Sequence, residues 1–145
     1  MKIPSTSDWG EIDEEDLDAT WAFKQFCGKS FEEAEAQFQS NALYYQEDLQ
    51  SMPATAFNFY APALVKYLMS ERAAGDADGA SSFLHTVIWM LKTRRDIISP
   101  DTEQILVSAT EHIAKNQGFY EADVGIYGQF PSLYAEILSL SSRCV

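Results

Sequence analysis

A chain of 145 residues with a formal charge of −12, 46% hydrophobic and 13% aromatic, is long enough to bury a core without disulfide or metal staples and too apolar for an unfolded polyanion. The charge excludes ordinary electrostatic attraction to nucleic acid or an anionic membrane and speeds encounter with a basic partner. Two separated cysteines, Cys27 and Cys144, suit a reducing compartment, and no stretch approaches 18 apolar residues, so the expectation is a cytoplasmic chain without a membrane span.

The excess charge is lopsided. Residues 1–79 carry 15 acidic against 5 basic side chains, whereas residues 80–145 carry 7 against 5. The densest run is EIDEEDLD over residues 11–18, six carboxylates in eight positions. Residues 1–15 are expected to form an acidic, flexible N-terminal segment. Asp16 and Asp18 have a second duty, as negative charge at the start of the first helix.

That helix is predicted from Asp16, with Leu17, Trp21 and Phe26 on its apolar face and Gly28 as its stop. Ser30 and Glu33 form a capping box for a second helix, in which Phe31, Ala34 and Phe38 share one face and Glu32, Glu33 and Glu35 point to solvent or to the helix start. Residues 43–69 are the most apolar stretch. Pro53 and Pro62 punctuate it, and short helices are predicted to restart near Thr55 and near Pro62, with Leu64, Val65, Leu68 and Met69 as the centre of the core.

The AAGDADGAS segment reads as a flexible connection, after which Ser81 or Ser82 caps a helix carrying Phe83, Leu84, Val87, Ile88 and Leu91 inward. Ser99-Pro100-Asp101 starts another, with Ile105, Leu106, Ala109 and Ile113 on its face and a stop near Gly118. Pro131 opens a last helix through Leu133, Ile137, Leu138 and Leu140. The fold class expected is all-α: a single-domain bundle of six or seven short helices over residues 1–145.

No motif in the chain carries chemistry. Gly28-Lys29-Ser30 resembles the end of a phosphate-binding loop, but that loop needs a glycine where Phe23 stands, and two caps explain the residues. Asp76-Ala77-Asp78-Gly79 lacks the first and twelfth ligands of an EF-hand and reads as a turn. His85, His112, Cys27 and Cys144 lack zinc-site spacing, His112 reading as an exposed polar pair with Glu111 and His85 as a half-buried core histidine. No nucleophile elbow is present, so the expectation is a non-enzyme with no catalytic residue, no metal and no cofactor.

The segments GKSFEEAEAQF, LYYQEDL and FYAPA over residues 26–70, with a weaker echo at residues 119–127, resemble an uncharacterised family of small bacterial helical proteins. The resemblance implies a bacterial origin, an all-helical fold and no established activity, and it carries over no site residues. The residues themselves point to a protein-binding domain that meets a basic partner. Its candidate contacts are the carboxylates Glu11, Asp13, Glu14, Glu15, Asp16, Glu47 and Asp48, with Trp9, Tyr44 and Tyr45 as aromatic anchors, joined by Trp21. An immunity-like inhibitor of a basic bacterial toxin is the concrete form of this expectation. The alternatives are a small helical enzyme with His85 in a pocket and a nucleic-acid-mimicking inhibitor.

Overall fold

A computed structural model describes residues 2–141, and among these residues there are nine α-helices and no strand. In chain order they are α1 (Thr6–Trp9), α2 (Leu17–Phe26), α3 (Phe31–Ser40), α4 (Ala42–Tyr45), α5 (Ala54–Leu68), α6 (Ala77–Thr93), α7 (Pro100–Lys115), α8 (Val124–Tyr127) and α9 (Phe130–Leu140). Six of them have ten residues or more. Short 3-10 turns at Gln46–Ser51, Glu71–Ala73 and Arg95–Ile97 join the longer helices.

Local signals set the boundaries. Asp16, Ser30, Asp76 and Ser99 each accept a backbone N–H three residues on, satisfying a donor that the first helical turn leaves free. At Ser30 the box is closed, because Glu33 takes the Ser30 N–H at 2.8 Å. Gly28 between α2 and α3 has φ of 83°, a left-handed conformation that a side chain would strain. The Gly28-Lys29-Ser30 sequence is therefore a stop followed by a start.

Two boundaries differ from the sequence expectation. Pro62 does not restart a helix: α5 runs unbroken through it. The missing N–H and the ring cost helix stability, but both sides of the kink site are buried, with Phe57, Phe59, Tyr60, Ala63 and Leu64 all in the core. Packing outweighs the local penalty. Likewise α6 begins at Ala77, capped by Asp76 rather than by Ser81 or Ser82, and Ser81 is buried within the helix. The expected flexible connection is thus short, and it is held by a hydrogen bond from the Gly75 N–H to the Phe119 carbonyl.

Helix α5 is the centre. It packs against α3 on one side and α7 on another, with α1 laid across it, while α9 wedges between α6 and α7. Leu64, Val65 and Leu68 are core as expected, but Met69 and Ile105 emerge at the surface. Glu35 also departs from expectation: it is buried, with ion pairs to Arg72 and to Lys66 at 3.8 Å. A buried carboxylate without those cations would be strongly unfavourable. At the C-terminal end, Ser141 donates to the buried Glu103 at 2.7 Å. Cys144 lies outside the described residues, and Cys27 is a half-buried free thiol.

The N-terminal half of the core is aromatic. Phe26 stands 5.3 Å from Phe38 and 5.2 Å from Tyr60 between ring centroids, and Tyr60 stands 4.8 Å edge-on from Phe59. The Tyr60 hydroxyl donates toward the carbonyls of Phe26 and Lys29, each at 2.8 Å, and so ties α5 to the α2–α3 junction. Burial raises its ionisation to about 12 from an ordinary 10.0. The folded state holds that proton more tightly than the unfolded chain, so its contribution is complete below pH 10 and is lost as pH rises toward 12. Tyr60→Phe is expected to destabilise the chain by about 1–2 kcal/mol at pH 7 by removing the hydroxyl's hydrogen bonds, which takes the side-chain donor from the Lys29 carbonyl while the Phe26 carbonyl keeps the Lys29 N–H. It should also blunt the alkaline loss of stability. Urea unfolding from pH 7 to 11 measures both, and an unchanged midpoint at pH 7 would show that the hydroxyl bond contributes nothing net.

Candidate partner-binding surface

The acidic run follows a short capped helix. Ser5 caps α1 with a closed capping box, accepting the Asp8 N–H at 3.3 Å while Asp8 takes the Ser5 N–H at 2.7 Å. Trp9 then enters the core, 4% exposed, edge-on to Phe23 at 5.5 Å. Past Gly10 the chain turns: the Asp13 side chain accepts the Glu15 N–H, the Asp13 carbonyl accepts the Asp16 N–H, and Asp16 caps α2. Among the described residues this segment forms a turn held by the buried Trp9 before it and by the Asp16 cap after it. Glu11, Asp13, Glu14, Glu15 and Asp16 all remain exposed on it.

Helix α2 carries the turn's charge toward a second feature. Its buried stripe is Ala22 and Phe26 with Phe23 half-buried, so the i, i+4 pair Leu17 and Trp21 faces outward, 76% and 50% exposed. The Trp21 indole N–H donates to the Tyr44 hydroxyl at 2.8 Å, and Tyr44 itself is 42% exposed. The Lys24 ammonium lies 5.9 Å from the Trp21 ring centroid. The result is a fixed apolar and aromatic patch, Leu17, Trp21 and Tyr44, adjoining the acidic turn. The sequence grouping of Leu17 and Trp21 with the core face of α2 is overturned by the rotation that buries Ala22. Their spacing at i, i+4 was the legible signal, and only the choice of face was not.

Two expected contacts are withdrawn from this surface. Trp9 is spent on the core, and Asp48 is 7% exposed beneath it, accepting from the Gln25 amide at 2.5 Å. Tyr45 is half-buried, in edge contact with Phe26, and Glu47 is exposed. His85 faces solvent on α6, contrary to a core role, and lines none of five surface clefts. His112 is half-buried, and its neighbour Glu111 pairs with Lys115 at 3.3 Å. Asp76 and Asp78, the calcium-like pair, accept instead from the hydroxyls of Tyr67 and Tyr127, each at 2.7 Å. Among the described residues no group of three potential metal ligands comes together, and no helix is long and apolar enough to cross a membrane.

The fold and the surface thus define a single helical domain with an ordered acidic turn beside an exposed aromatic patch. Comparison with protein-family models, curated proteins and solved structures finds no match to this chain.

Asp48 has an energetic consequence. Burial pushes its carboxyl from 3.8 up to about 6, with Glu47 and Asp18 adding to the rise and the Gln25 hydrogen bond opposing it. Because the folded value is the higher one, the group contributes most favourably below about pH 3.8, and that contribution is lost as pH rises through 6. At pH 7 the charged carboxylate is a liability to folding. Asp48→Asn is expected to raise stability by about 1–2 kcal/mol at pH 7, after allowance for partial solvent screening, with the gain vanishing near pH 4. Denaturant unfolding of both proteins across pH 4–8 checks this; a variant less stable at pH 7 would mean that the Gln25 bond outweighs desolvation.

Proposed function

We propose that this chain is an acidic protein-binding domain that captures a basic partner through the Leu17–Trp21–Tyr44 patch and the carboxylates of the neighbouring turn. The observation that carries the reading is the outward-facing Trp21, held by its hydrogen bond to Tyr44. An exposed tryptophan fixed in place loses little side-chain freedom on binding, and aromatic anchors of this kind supply most of the energy in protein interfaces. In the turn and first helical residues that precede Trp21, Glu11, Glu14, Glu15 and Asp18 have side chains that make no hydrogen bond or ion pair among the described residues. Unpaired surface charge of one sign accelerates encounter with the opposite sign more than it tightens the final complex.

The finer form of the proposal is an immunity-like inhibitor in the bacterial cytoplasm that neutralises a toxin such as a nuclease by occlusion. Its carboxylates would occupy the space of phosphates in the basic cleft while Trp21 desolvates the centre. His85, exposed and away from the clefts, supports binding over catalysis at that position.

The test is a pull-down at low salt from the source cells, with the proteins encoded beside this chain as first candidates, followed by titration of the captured basic protein. Association should slow on the order of tenfold between about 50 and about 200 mM salt. Trp21→Ala should weaken the complex by about 2 kcal/mol, mainly through faster dissociation. Charge reversal at Glu11, Glu14 and Glu15 should slow association without unfolding the chain, since these side chains hold no cap. Failure to capture any basic protein, or a complex indifferent to both sets of changes, overturns the proposal.

A further inference from the structure

Three carboxylates are buried among the described residues: Glu35, Asp48 and Glu103. Glu35 pairs with Arg72 and Lys66, and Glu103 pairs with Arg95. Asp48 has no cation within ion-pairing distance among these residues, and its hydrogen bond comes from the neutral amide of Gln25. Of the three buried acids it is the one whose charge the fold does not balance, and an unbalanced buried charge is costly.

Its surroundings add to that cost. Glu47 on the same 3-10 turn and Asp18 on α2 are the charges that act on it, and both are acidic. The ionisable groups of the elements packed against the turn are engaged elsewhere. On α2, Lys24 lies over the Trp21 ring. On α4, Tyr44 accepts from Trp21 and Tyr45 is edge-on to Phe26. On α5, Tyr60 reaches the α2–α3 junction, Lys66 pairs with Glu35 and Tyr67 donates to Asp76. On α6, His85 is exposed, Asp78 accepts from Tyr127 and Lys92 pairs with Glu136. Arg94, just past the end of α6, donates to the carbonyls of Gln50 and Met52.

Asp48 also sits in a seam. Trp21 bonds to Tyr44 and Gln25 to Asp48, each pair separated by 23 positions, so α2 and the residues from Tyr44 to Asp48 run side by side for one turn, closed by two side-chain ties. The far end of α2 is pinned separately, by the Tyr60 hydroxyl on the Phe26 carbonyl. An ionised Asp48 gains water when the seam parts, whereas a protonated one gains little.

We propose that this seam is a proton-operated clasp: protonation of Asp48 closes α2 onto the Gln46–Ser51 turn, and ionisation lets α2 part from it, releasing Trp21 from Tyr44. The closed seam holds the proton more tightly than the open one, since burial raises the carboxyl from 3.8 to about 6. The advantage of closure is therefore complete below pH 3.8 and is lost as pH rises through about 6. That the clasp regulates the anchor of a binding surface rests on the function proposed above; the clasp itself does not, and its test requires no partner.

Amide hydrogen exchange of the full chain at about pH 5 and about pH 7 tests it, with α7 as the reference for global unfolding. The amides of Trp21 to Phe26 should open more readily than those of α7, and their opening constant should fall about tenfold on acidification. Only an opening that exposes Asp48 acquires that dependence. Asp48→Asn should keep the seam closed at both pH values and abolish the dependence, while protection of α7 shows that the variant is folded. Both histidines remain in that variant, so a dependence that survives belongs to His85 or His112 and overturns the proposal. Tyr44→Phe removes the other tie and should raise α2 opening about fivefold at both pH values with the tenfold ratio intact. Opening of α2 as rare as that of α7, or indifferent to pH, overturns the proposal as well.

Discussion

The hydroxyl of Tyr60 holds the architecture at its narrowest point. It reaches from the middle of α5 to the carbonyls of Phe26 and Lys29, where the chain leaves α2 and turns through Gly28 into α3. Those carbonyls lie at a helix end, where four acceptors have no partner inside the helix. One side chain from the central helix therefore satisfies the junction and fixes the positions of α2 and α3 against α5. Around it the aromatic rings of Trp9, Phe26, Phe38 and Phe59 fill the space that this geometry defines. Each fully buried ring of this kind contributes on the order of 2–3 kcal/mol. The orientation of α2, and hence what it shows to solvent, follows from that packing.

Because Ala22 and Phe26 must face Tyr60, Leu17 and Trp21 have no room inside and turn outward. The same packing draws Trp9 inward beside α5, its ring edge-on to Phe23 and tilted against Tyr60. Burying Trp9 in turn fastens the acidic turn that follows it. An ordered acidic turn and an exposed tryptophan are two outcomes of one packing decision, and they place charge and anchor side by side. The raised Asp48 carboxyl belongs to the same region, beneath α2 at Gln25.

Helix identity was legible where short-range chemistry decides it. The Ser30 and Glu33 box, the Ser99 cap and the Gly28 stop depend on residues three or four apart, and all formed as the spacing indicates. What long-range packing decides was hidden. Pro62 breaks an isolated helix, and only the burial on both sides of it shows why α5 continues. Asp76 outcompetes Ser81 as a cap because Tyr67, on another helix, donates to the same carboxylate at 2.7 Å. Glu35 looks like a solvent-facing position of α3 until Arg72 folds back over it. For the surface, the acidic turn was legible as composition, but Leu17 and Trp21 carry the same 3.6-residue periodicity whether they face in or out.

The net charge can also be divided by what the fold uses. Asp8, Asp13, Asp16, Glu33, Asp76 and Asp123 accept backbone N–H groups at turns and helix starts. Glu35, Glu103, Glu111 and Glu136 pair with cations. These acids would be retained by any sequence that builds these caps and pairs. Glu11, Glu14 and Glu15 do none of this work, yet they crowd into eight residues beside Asp13, Asp16 and Asp18, where like charges repel and destabilise the compact state. Helix α2 needs one cap and one dipole partner at its start, which Asp16 and Asp18 supply. The remaining three carboxylates at positions 11, 14 and 15 exceed that requirement. This surplus lies in the turn between α1 and α2, exposed and outside the caps and pairs. It is the part of the charge that the basic partner proposed above would meet first.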